Sequence, residues 1–195
     1  LDVASMANSS TKVFILEVMG RHAGWLAASA GVIKDNKSMP PHLILVPEVI
    51  FDEKKFLKET KTIVKNYGYC VIVASEGIKN KKNQFIASSA SKDSFGHAHL
   101  GGVAPKLANI ISNKLSYKVH WAVADYLQRA ARHLGSSVDV KQAYAIGFKA
   151  LHYAKKGVDG VMLTIKKQKA KTYKWEIKYT KLQNVANFEK ELPKS

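Results

Sequence analysis

The stretch TKVFILEVMGRHAGWLA, residues 11–27, runs from an unbroken apolar segment through a glycine-flanked turn toward a helix. Residues 12–18 are β-branched and apolar without alternation, the pattern of a strand buried on both faces. Met19 and Gly20 end the strand. A helix is expected over about 22–34, with Trp25, Leu26, Ala30 and Ile33 on its inward face. The same order then repeats. HLILVPE (42–48) reads as a second strand, and Asp52 as the N-cap of a helix over 53–66 whose Phe56, Leu57, Ile63 and Val64 share a face. YCVIVASE (69–76) is a third strand, stopped by Gly77.

Residues 79–96 are polar and rich in Ser and Lys, the signature of a long loop with room for a brief strand. A helix over 103–115 accommodates Pro105 in its first turn. YKVHWAVADYL (117–127) is a fourth strand. Asp139 is expected to cap a helix reaching about residue 156, with Val140, Ala143, Tyr144, Gly147, Leu151 and Ala154 inward. GVMLTIK and YKWEIKYTK form a late pair of strands, and 190–195 is a polar tail. Alternation of apolar strands with helices implies an α/β layered fold, a mostly parallel sheet flanked by helices. Residues 1–135 are expected to form one α/β domain and 136–195 a second set of elements.

At 46% hydrophobic and 24% charged residues, the composition is that of a soluble globular protein. No apolar run is long enough to span a membrane, so no membrane partner is expected. The first ten residues have neither a basic nor an apolar signal region. They also lack an initiator Met, which suggests a fragment of a longer protein. Cys70, the one cysteine, sits in an apolar run as a buried structural thiol, consistent with a cytoplasmic location. The net charge of +16 favours anionic partners, or reflects lysines spread over solvated faces. No zinc spacing, RNA-binding aromatic motif or basic heptad accompanies it, so nucleic acid is not an expected partner. The seven histidines form no zinc-like cluster with acids or the cysteine, and no metal site is expected in this chain.

In parallel α/β sheets, ligands bind beyond the carboxyl ends of the strands. That rule selects residues 17–21, Glu76 with Gly77, and residues 125–129. Only three of the 31 basic residues are arginine, and two of them, Arg21 and Arg129, fall in this set. Arginine grips two phosphate oxygens with one planar fork, which lysine cannot do. Gly20 and Gly24 bring the backbone close at a helix start, where free N–H groups favour anions. The alternative is close strand–helix packing, with Arg21 paired to an acid. Glu76 suits a sugar hydroxyl, or equally one of the many lysines. Arg129 and Arg132 would share a face if their segment is helical, or form a solvated basic helix end.

TKVFILEVMGRHAGWLA resembles the first signature of the phosphofructokinase family, and WAVADYLQRAARH its second, with LILVPE and VIVASEG between them in order. The resemblance covers about residues 1–165. HAGW, FGHAHLGGVAP and ADYLQRAARH look closest to the pyrophosphate-dependent branch. It implies phosphoryl transfer to the 1-hydroxyl of fructose 6-phosphate, with Mg²⁺ and with pyrophosphate rather than ATP as donor. By resemblance, Met19, Gly20 and Arg21 line the sugar-phosphate site, Glu76 binds sugar hydroxyls, and Tyr126 and Arg129 hold the sugar and its 6-phosphate, with Gln128 a further candidate for substrate binding. Lys12 and His120 stand where ATP-dependent members carry arginines that reach a neighbouring subunit's site; both depart from that pattern. The family is typically homo-oligomeric. Its GGDD-type donor segment and the TIDND-type segment with the base aspartate are not in this chain. The expectation is therefore the acceptor half of the enzyme, inactive alone, with Mg²⁺ bound mainly with the donor and with 136–195 packing on the missing donor domain. Two alternatives are a non-catalytic sugar-phosphate-binding module and a basic nucleic-acid-binding α/β domain.

Overall fold

β1 (Thr11–Val18) is the spine of the main sheet. It pairs in parallel with β3 (Cys70–Ser75) on one side and with β6 (Lys118–Val123) on the other. β2 (Leu43–Leu45) adds to β3, giving the order β2-β3-β1-β6, all parallel. The structure is a computed structural model that describes residue 5, residues 8–92 and residues 98–193. Residues 93–96 of the expected loop, His97, and residues 194–195 of the tail lie outside the described residues, as do 1–4, 6 and 7.

Successive side chains of each strand point to opposite faces, and each face has its own apolar partner. Val13 and Ile15 of β1 and Cys70, Ile72 and Ala74 of β3 are buried with Phe56 and Val64 of α2 (Glu53–Tyr67) and Val103, Leu107 and Ile111 of α3 (Val103–Leu115). On the other face Val18 and Val73 pack with Ala27 of α1 (Trp25–Ser29). The expected α/β class is what the chain adopts. Cys70 is buried, and burial pushes its thiol up to about 12.

α2 and α3 match their expected bounds. Asp52 accepts the Lys55 N–H at 3.0 Å as an N-cap, and Gly68 closes α2 in the left-handed region at φ 85°. In the polar segment, β4 (Ser88–Lys92) pairs antiparallel with β5 (Ala98–Leu100), so the brief strand allowed there exists.

Three expectations are corrected. The helix expected over 22–34 is only the five residues of α1. Residues 21–24 are drawn into the turn, and beyond Ser29 the backbone tightens into i→i+3 bonds such as Gly31 N–H to Ala28 O at 2.9 Å. Trp25 and Leu26 are therefore half exposed rather than core. The fourth strand stops at Val123, because Asp125 takes a positive φ of 39° and turns the chain into the short α4 (Leu127–Ala130). A separate 3₁₀ turn, Arg132–Leu134, follows after Ala131 departs from helical geometry at ψ 53°, so Arg129 and Arg132 do not share one helix face.

The chain divides into two units, Leu1–Arg129 with Lys190–Ser195, and Ala130–Glu189. The second holds α5 (Ser137–Lys155) and the antiparallel hairpin of β7 (Val161–Lys167) and β8 (Trp175–Lys181). Its cap is Ser136, which accepts the Asp139 N–H at 3.4 Å; Asp139 sits in the first turn instead of capping. The face expected inward is outward: Val140, Tyr144 and Leu151 are exposed, and Gly147 meets open space. α5 is apolar on two faces, and the other one packs on the hairpin. There the buried Gln142 donates to the Tyr173 hydroxyl at 2.8 Å and Tyr153 meets Tyr179 edge-on at 5.2 Å.

Candidate functional site

The turn after β1 is held against the end of β3 by its backbone. The Glu76 N–H donates to Val18 O at 2.9 Å, the Gly77 N–H to Gly20 O at 3.1 Å, and the Ser75 hydroxyl to the same Gly20 carbonyl at 2.6 Å. Gly20 sits at φ 148°, a conformation that L side chains rarely adopt. Gly77 is required by space: a Cβ there would overlap the carbonyl oxygens of Arg21 and Gly20.

Side chains then close over this frame. The Glu76 carboxylate accepts the Gly20 N–H at 3.2 Å, and the Gln128 amide oxygen accepts the Met19 N–H at 3.4 Å. Together Met19, Gly20, Arg21, Leu26, Glu76, Gln128 and Arg129 line one open cavity of about 510 Å³ at the carboxyl ends of β1, β3 and β6. Six of these seven were expected site residues. Leu26 was expected in the core, and only the shortness of α1 turns it to the cavity. The Gln128 amide nitrogen is buried with no hydrogen-bond partner among the described residues.

Three expected residues stand outside this lining. Tyr126 is adjacent in the chain and 72% exposed. Lys12 lies at the amino end of β1, about 23 Å along the strand from Met19 at 3.3 Å per residue. His120 pairs in register with Phe14, in mid-strand, and is exposed.

Beside the cavity is a smaller recess of about 140 Å³, lined by Glu17, Glu76, Asp125 and Gly101 among others. Glu17 is 2% exposed. Its carboxylate accepts the N–H groups of Gly102 at 3.1 Å and Ala104 at 2.8 Å, tying the start of α3 to the end of β1. Burial, reinforced by the neighbouring Glu76, outweighs these donors and raises its pKa above the ordinary value. Among the described residues no group of three or more His, Cys, Asp or Glu is arranged to hold a metal ion.

Glu48, just past β2, was not among the expected residues, although the strand-end rule that selected Glu76 applies to it equally. Its Oε1 accepts both the Gly24 N–H and the Leu192 N–H, each at 3.0 Å. Burial opposes its ionisation, but those donors outweigh it and hold the carboxyl below its ordinary value. A larger cleft of about 700 Å³ lies between the start of α2 and residues 80–86. Two of its lysines are engaged, Lys81 with Asp52 at 3.0 Å and Lys106 with Ile86 O at 2.6 Å. Among the described residues no helix is long and apolar enough to cross a membrane.

Comparison with known proteins follows the same lines. The chain is 51% identical over 192 residues to a pyrophosphate–fructose 6-phosphate 1-phosphotransferase of Methylococcus capsulatus, covering 98% of this chain and 46% of that protein. A protein of the same name from Halomonas elongata is also 51% identical, over 194 residues, with 46% of it covered. The pyrophosphate-dependent phosphofructokinase from Marinobacter aquaeolei superposes with a TM-score of 0.84 at 48% identity, covering 98% of this chain and 44% of that one. The chain thus spans about half the length of the relatives it matches. The family model described as phosphofructokinase matches residues 2–154, and with two signature segments meeting at one cavity, the chain belongs to the phosphofructokinase family.

Proposed function

We propose that this chain is the acceptor half of a pyrophosphate-dependent phosphofructokinase: it binds fructose 6-phosphate for phosphoryl transfer to the 1-hydroxyl. The observation that carries the reading is the convergence of Met19, Gly20, Arg21, Glu76, Gln128 and Arg129 on one cavity at the strand ends. The guanidinium groups of Arg21 and Arg129 take the 6-phosphate as bidentate forks. Glu76 accepts hydrogen bonds from sugar hydroxyls. Tyr126, exposed beside the cavity, closes on the sugar when it binds. Lys12 and His120, away from the cavity, serve a neighbouring copy in a homo-oligomer.

The names of the relatives favour pyrophosphate over ATP as donor. Phosphoryl transfer depends on positioning and on neutralising charge, and the residues here supply the positioning of the acceptor. Mg²⁺ in phosphoryl-transfer sites is held by one or two carboxylates together with substrate phosphates. Mg²⁺ would accompany the phosphates of the donor. Residues 1–135 act as the acceptor-binding domain, and 136–195 pack partly on the donor-binding part of the full enzyme, which works in the cytoplasm.

Calorimetry with fructose 6-phosphate tests the site. Arg21→Ala is expected to weaken binding by about 1.5–3 kcal/mol, the range for a hydrogen bond to a charged group. Arg21→Lys should recover part of the loss, because the charge returns without the fork. Parent-like binding by both variants would refute the assignment.

A further inference from the structure

We infer that Glu48 is a positioning residue for the sugar-phosphate site, one carboxylate oxygen holding both the start of α1 and a C-terminal strap, residues 190–193; this rests on the reading of that site given above. α1 has five residues. A helix of that length cannot sustain itself, because nucleation costs more than its few bonds return. Its orientation is set by what it is tied to.

Two ties are present. Glu48 Oε1 accepts the Gly24 N–H at the first turn of α1, three residues past Arg21. The same oxygen accepts the Leu192 N–H of the strap. One residue on, the Trp25 indole N–H donates to the Lys190 carbonyl at 2.6 Å, and the Lys190 ammonium lies 5.9 Å from the centre of that ring. Space enforces the seat: a Cβ on Gly24 would stand 2.6 Å from Val46 and 3.0 Å from Glu48 Oε2. Leu26, the next residue of α1, lines the cavity with Arg21 and Arg129. The strap, Glu48 and α1 therefore form one unit behind the anion-binding turn.

The test uses the chain with Glu48→Ala, Glu48→Gln, a truncation after Glu189, and the truncation combined with Glu48→Ala. Binding of fructose 6-phosphate is read by calorimetry, and amide hydrogen exchange over residues 20–29 is read without ligand. Glu48→Ala and the truncation are each expected to weaken binding about three- to tenfold, as for the loss of a net hydrogen bond or two. Each should also speed exchange at Gly24 and Trp25. Glu48→Gln keeps an acceptor oxygen and should stay within about twofold of the parent. The combined variant should be no weaker than either alone, because both remove one coupled device. Unchanged exchange in Glu48→Ala and the truncation, or fully multiplied losses in the combined variant, would overturn the inference. Arg21→Ala separates the two readings. If it weakens binding while Glu48→Ala does not, only the strap fails. If Arg21→Ala binds like the parent, the site assignment fails, and the exchange data still decide the strap.

Discussion

Gly77 is the residue on which the geometry of the turn depends most directly. The backbone of Gly20 and Arg21 passes so close that no side chain fits there. Gly77→Ala must push the turn away or strain the end of β3, at an expected cost of about 1–3 kcal/mol in denaturant unfolding, as for other overpacking changes. Fructose 6-phosphate binding should weaken with it, because the displaced backbone carries Arg21. An alanine variant with parental stability and affinity would mean that the backbone there yields freely to a Cβ. In the sequence, Gly77 reads only as the stop of a strand. Its need for smallness comes from a turn 56 residues earlier, and nothing local records that approach. Arg21 and Arg129 were legible by contrast, since they are rare in a lysine-rich chain and also stand at expected strand ends.

At the scale of elements, legibility followed local punctuation. α2 has an Asp cap and a Gly stop, and its apolar spacing was read to within a residue. Asp52→Ala should lower the unfolding free energy by about 1 kcal/mol with an unchanged denaturant slope. Its ion pair with the exposed Lys81 adds little to that figure. A loss under a few tenths would show that the cap is replaced by solvent. α1 and α5 were misread for different reasons. α1 was drawn too long because its apolar residues continue the spacing past the point where tertiary bonds take over. α5 offers two cap residues three apart, Ser136 and Asp139, and two apolar faces. Periodicity cannot choose which face packs, and the hairpin of β7 and β8 decides it.

For the whole molecule, buried and capping carboxylates set the response to acid. Glu48 and Asp52 are held below their ordinary values, so each contributes stability above that value and loses it as pH falls through the lower folded value. Glu17 runs the other way. Its folded value lies above the ordinary 4.5, so it favours the fold when protonated, and that contribution fades as pH rises through the folded value. Glu17→Gln is uncharged throughout. Its thermal midpoint relative to the parent is expected to climb as pH rises from the ordinary 4.5 through the raised folded value, whatever the offset from lost acceptors. A flat difference would mean that burial does not perturb Glu17. The fold class and the strand-end position of the site were legible because they depend on strand order alone. The roles of Glu17 and Glu48 were not, because their partners lie 85 and 144 residues away.

Trp25 and its acceptor at Lys190 are 165 positions apart. At 5–20 residues per second on the ribosome, the turn after β1 is made roughly ten to thirty seconds before residue 190 exists. β1, the turn and α1 must therefore wait half-fastened until residue 190 has been made. The tie on α1 can therefore form only after every strand of the main sheet has been synthesised, so the sheet comes first and the fastening of its first helix comes later.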